Sequence, residues 1–139
     1  MPNESSFQFT NPELVDLRFA KNEGFRRDER AELAISLRSV VTQIEPEGDR
    51  NEQRARVIIE LQIGSEGENS PFLIQAKEGA NFKWKEGEYN EEQVNALLSQ
   101  NAVAVLISYL RPVIAGITSA SGLPAYNLPF LDLSSMKKE

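Results

Sequence analysis

From Ala102 to Leu123 the chain is long and largely apolar, and its large side chains fall on more than one helical face. Val103, Leu106, Leu110, Val113 and Ile117 are spaced three and four apart on one stripe, while Ile107 and Ile114 lie off it. A helix of this kind must be covered twice. One sheet covers a single face, and another copy of the chain is the most economical second cover. Val103, Leu106, Ile107, Leu110, Ile114 and Ile117 are therefore expected at an oligomer interface, in a dimer or a tetramer. Arg111 lies near the middle of the run, followed by Pro112. A central Arg costs about 2.5 to 3.5 kcal/mol on insertion scales, so a buried helix is expected rather than membrane insertion. Pro112 removes the bond to the Ser108 carbonyl, which reads as a tolerated bend.

Before this helix the period is two. Val15, Leu17 and Phe19 alternate with Asp16 and Arg18. Leu33, Ile35 and Leu37 begin a second alternation that extends to Val41, and Val57, Ile59, Leu61 and Ile63 form the clearest one. Phe72, Ile74 and Ala76 open a fourth, after the turn formers of Gly64 to Pro71. The polar stretch Ile44 to Arg54 reads as a loop or hairpin connection. Short connections favour antiparallel neighbours, since parallel pairing needs long crossovers. Asn90 followed by Gln93 marks a helix start with a capping box, leading a short helix to about Ser99. Gly122 and Pro124 end the long helix. The expected fold is α+β: a four-stranded antiparallel meander sheet followed by a short helix and a long helix packed on it, in a single domain over residues 1–139.

Enzyme chemistry is hard to place on this chain. It has no Cys and no His, which removes disulfides, thiol nucleophiles, the usual zinc ligand sets and His-based catalytic arrangements. There is no Gly-rich phosphate loop and no GxSxG. The acidic residues sit in polar runs such as EPEGD and EGEYNEE that read as solvated faces. Thr118, Ser119 and Ser121 have no base nearby in sequence. A non-enzyme without cofactor or metal is expected. The formal net charge of -6 disfavours nucleic acid. The basic groups Arg26, Arg27, Arg30 and Arg50, Arg54, Arg56 are interrupted by acids and read as solvated faces. The N-terminus MPNESSFQF has neither a basic nor an apolar leader region, so a cytoplasmic location is expected.

Two apolar groups are candidates for binding. Leu123, Tyr126, Leu128, Phe130, Leu131 and Leu133 lie in a segment that Pro124 and Pro129 should hold extended. Composition alone favours the plainer reading that these side chains close the sheet edge or cap the helix. Phe82 and Trp84 share one strand face between Lys83 and Lys85, suited either to stacking on an extended ligand or to packing under the helices.

The stretch from Asn101 to Leu133, with Tyr109, Arg111, Ile114, Ser119, Pro124, Asn127 and Leu128, resembles the C-terminal half of SecB-type protein-export chaperones. Phe72 to Phe82 is similar to the family's last long strand and Leu14 to Phe19 to its first. The resemblance implies an ATP-independent holdase, usually a dimer of dimers, that binds unfolded preproteins in apolar grooves and passes them to the SecA motor. It assigns the Leu123–Leu133 loop to the client groove. Two departures stand beside it. After Leu133 only SSMKKE follows, where the family has a substantial second helix. Of the acidic positions that face SecA, Asp16 keeps one, while the others fall on Ala20 and Gln75. Three roles are carried forward: a SecB-like chaperone, for export or dedicated to a single client such as an antitoxin; an oligomeric adaptor that has lost client binding; and a small-ligand carrier.

Overall fold

Two long strands form the centre of the sheet, and the alternation in each is nearly uninterrupted. The computed structural model describes residues 3–25, 33–45, 51–67, 69–134 and 136. The basic positions Arg26, Arg27, Arg30 and Arg50 lie outside these, as does most of the segment after Ser134. The strands are β1 (Gln8–Phe9), β2 (Glu13–Lys21), β3 (Ile35–Ile44), β4 (Glu52–Gly64) and β5 (Phe72–Lys85). β4 and β5 pair antiparallel from Glu52 opposite Lys85 to Gly64 opposite Leu73. Gly64 takes a left-handed φ of 81°, and a Cβ there would stand 2.1 Å from the Phe72 carbonyl oxygen, so only glycine serves this turn.

β3 lies along β4, while β1 and β2 share the far side of β5. The first long strand therefore sits beside the last, and the expected meander holds only from β3 to β5. The connection over residues 22–34 is long enough to carry the chain from one sheet edge to the other. The gain is apolar matching: Leu17 and Phe19 of β2 stand opposite Ala76 and Ile74 of β5. Two further details depart from expectation. Glu52 to Arg54, expected in a loop, already belong to β4 and pair with β5. A bulge between Leu14 and Asp16 takes Val15 out of the dry face, leaving it 48% exposed.

One face of the sheet is dry. On β4, Ala55, Val57, Ile59, Leu61 and Ile63 are all buried, and on β5 so are Phe72, Ile74, Ala76, Ala80, Phe82 and Trp84. Across this face lies a continuous helical stretch from Glu91 to Ala120, comprising α1 (Glu91–Ala96), a π turn (Leu97–Asn101) and α2 (Ala102–Ala120). The two expected helices are thus fused through a wider turn. Asn90 and Gln93 form the reciprocal capping box, with bonds of 2.8 and 2.9 Å. At the other end Gly122 adopts φ 86°, and the Leu123 and Gly122 N–H groups return to the carbonyls of Thr118 and Ser119 in a Schellman motif. Lys21 donates to the Ser121 carbonyl at 3.0 Å, a cation from the sheet placed on the negative end of the helix. The helix is long and apolar enough to cross a bilayer, and here its apolar stripe packs on the sheet.

Candidate functional site

Beyond Gly122 the chain turns back and lies along α2 as an extended strap. Two helix side chains hold it. Buried Thr118 accepts the Tyr126 N–H at 2.9 Å while its hydroxyl donates to the Ile114 carbonyl at 2.9 Å. About two turns towards the helix N-terminus, the Arg111 guanidinium donates to the Leu128 carbonyl and, at 3.4 Å, to that of Pro129. Because residue 126 meets residue 118 and residues 128–129 meet residue 111, the strap runs antiparallel to the helix.

The strap's apolar side chains divide between core and surface. Leu128 is buried in the same cluster as Leu110 and Ile114. Leu123, Tyr126, Leu131 and Leu133 are half-buried against that cluster, with the Tyr126 ring edge-on to Phe72 at 5.8 Å. Burial pushes the Tyr126 phenol above its ordinary pKa. Phe130 differs from all of these. Its ring is 97% exposed and lies 5.2 Å from the Arg111 guanidinium carbon. The segment is thus partly core and partly exposed.

Phe82 and Trp84 are 1% and 5% exposed, so within this chain neither is presented to a ligand. Residues from the N-terminal segment cover them: Phe7 stacks on Phe82 at 5.5 Å and approaches Trp84 at 6.2 Å, and Phe9 lies 6.0 Å from Phe82. The short strand β1 was not legible in the sequence, where Phe7 and Phe9 stand in a polar stretch. The six residues expected between copies are placed against the chain's own sheet instead. Val103, Leu106, Leu110 and Ile114 are 0% exposed and Ile107 is 3% exposed, while Ile117 is half-buried. A side chain already enclosed within one chain has no surface left to offer a second copy. The physical reason is that the strap and the N-terminal segment extend the cover supplied by the sheet. Among the described residues, the large apolar side chains left open besides Phe130 are Phe9, Leu14, Val15 and Tyr109, each between 40% and 48% exposed, with Phe9 and Tyr109 in edge-on contact at 6.4 Å.

The uncovered face of the sheet is polar. Asp16, Ala20 and Gln75 share it, as the strand register requires. Asp16 pairs with Arg18 at 3.4 Å. Nearby Arg38 and Lys77 converge on Glu60 at 2.5 and 3.3 Å, and the Arg38 hydrogen bonds hold the Glu60 carboxyl below its ordinary pKa. Gln75 donates to Gln62 at 3.1 Å. Asp16 therefore stands among cations rather than in an acidic field.

No protein-family model matches the chain. It is 31% identical over 108 residues to the protein-export protein SecB of Anaplasma phagocytophilum (strain HZ), an overlap of 75% of this chain and 68% of that protein. Its fold is similar to the Mycobacterium tuberculosis Rv1957 SecB-like chaperone, solved with a ChAD peptide from the Rv1956 HigA1 antitoxin. That likeness has a TM-score of 0.64 and 18% identity, and it covers 91% of each chain. It is also similar to a protein of unknown function from Streptococcus agalactiae, at a TM-score of 0.62 and 10% identity, covering 92% of this chain and 100% of that one. The structural likenesses establish the fold, and the sequence identity over two thirds of the export protein establishes descent: this chain belongs to the SecB protein-export chaperone family.

Proposed function

We propose that the protein is an ATP-independent holdase that binds unfolded polypeptide along the Leu123–Leu133 strap. The observation that carries this reading is Phe130, a large aromatic side chain 97% exposed on a segment whose neighbours are fixed to the helix at two points. Apolar area held open on a rigid support suits extended segments of many sequences, because affinity comes from burial more than from a particular pattern of hydrogen bonds. Leu131 and Leu133, half-buried beside Phe130, extend the apolar surface. The reading treats residues 1–139 as a single domain. It carries a cytoplasmic location, self-association and a role in protein export without catalysis of its own. Docking on SecA is not favoured, since Asp16 is paired with Arg18 and stands opposite Lys77, and the other two acidic positions are Ala20 and Gln75.

A dedicated single-client role is the second reading. It is favoured by the likeness to a SecB-like chaperone seen with an antitoxin peptide. Aggregation assays separate the two. A general holdase at stoichiometric amounts keeps several unrelated unfolded proteins soluble, and Phe130→Asp or Leu131→Asp weakens that protection at least several-fold. Protection of none of them, with the protein folded and oligomeric, would overturn the general holdase reading.

A further inference from the structure

Arg111 is the only charged residue between Glu92 and Asp132, and its surroundings contain no carboxylate partner among the described residues. It is half-buried, and its guanidinium is spent on backbone. Successive carbonyls of an extended chain point to opposite sides, so one guanidinium reaching both Leu128 and Pro129 holds a local bend in the strap. Pro129 supports the bend by fixing its own φ. The next residue is Phe130, which emerges beside the same cation with its ring 5.2 Å from the guanidinium carbon. The guanidinium stands over the ring at that distance, while nearly all of the side chain's surface stays in solvent, 97% of it exposed.

Resting on the holdase reading above, we infer that Arg111 is a positioning residue for client binding: by bonding the Leu128 and Pro129 carbonyls and stacking on Phe130, it holds that ring in an outward pose ready for an apolar or aromatic client side chain. A ring fixed before the client arrives loses less side-chain freedom on binding than one that must be ordered at that moment. The strap itself is suited to an extended client. Among the described residues no hydrogen bond engages the backbone N–H of Phe130, Leu131 or Asp132, so the segment presents an unpaired edge beside the ring. Lysine at position 111 keeps the charge but lacks the planar fork that reaches two carbonyls.

A double-mutant cycle tests this. Wild type, Arg111→Met, Phe130→Leu and the double variant are titrated with a reduced, alkylated and fluorescently labelled unfolded protein. Each single change is expected to weaken binding roughly three- to tenfold, with the double variant no weaker than the weaker single one. Arg111→Lys is expected to behave like Arg111→Met, while thermal unfolding followed at Trp84 shows that each variant is folded. It also stands in for Arg111→Met should that variant not fold. Independent effects that multiply in the double variant would overturn the positioning role and leave the strap reading standing. Unchanged binding by Phe130→Leu would overturn both, and so would a loss of oligomer mass in Phe130→Leu, which would assign the ring to a second copy.

Discussion

Glu78 is a carboxylate on the covered face of the sheet, with Ala76 and Ala80 along its own strand and Ile59 and Leu14 opposite on the neighbouring strands. It is 3% exposed, and no hydrogen bond to its side chain occurs among the described residues. Burial raises its pKa, and the Glu13 carboxylate adds to the rise. A carboxyl whose pKa is higher folded than unfolded supports the fold at acidic pH. That support is lost as pH rises from the ordinary carboxylate range through the raised value. Glu60 works in the other sense. Its lowered pKa gives support that is present above the ordinary range and lost as pH falls through the lowered value. Glu78→Gln is therefore expected to raise the thermal midpoint at pH 8 by several degrees and to change it little at pH 4. Equal shifts at both pH values would show that Glu78 is not the buried charge described here. Ser39 lies in the same row beyond Ile59, and its buried hydroxyl has no hydrogen-bond partner among the described residues. Ser39→Ala is accordingly expected to cost less than the usual buried hydroxyl deletion.

At the scale of elements, the phase of α2 decides which apolar residues are core. Leu106, Leu110, Ile114 and Thr118 are fully buried, whereas Val113 and Ile117, which the three-and-four spacing places on the same stripe, are half-buried to one side. Ile114→Ala is expected to cost about 2 to 5 kcal/mol in urea unfolding, as deletion of an enclosed side chain does. Val113→Ala should cost less than about half as much. Comparable losses would mean that the helix presents a different face to the sheet. Both helix ends were legible from single residues, Asn90 with Gln93 and Gly122 with Pro124, because caps satisfy backbone groups locally. The π turn between the helices was not. Nothing in Leu97–Asn101 distinguishes it from ordinary helix, and its register is a matter of how the two segments meet the sheet.

For the whole molecule, self-association is tested at the open apolar side chains Phe9, Leu14, Val15 and Tyr109, which a second copy would cover if the chain pairs there. This surface lies beside β2, on the sheet edge. Light scattering is expected to give a mass above that of one chain. Leu14→Asp combined with Tyr109→Ser should lower that mass while leaving the helix content unchanged. A monomer before any substitution would remove self-association from the proposed function.

The period-two strands, the capped helices, the apolar strap and the likeness to SecB chaperones could all be read from the order of residues, because each depends on local alternation, local capping or a short run of side chains. Which strand lies beside β5, which face of α2 is enclosed, and which strap residue remains in solvent could not. Those outcomes depend on residues far apart in the chain competing for the same dry surface. Phe7 and Phe9 cover Phe82 and Trp84 from more than seventy residues away, and Arg111 holds the strap so that Leu128 is buried and Phe130 is not.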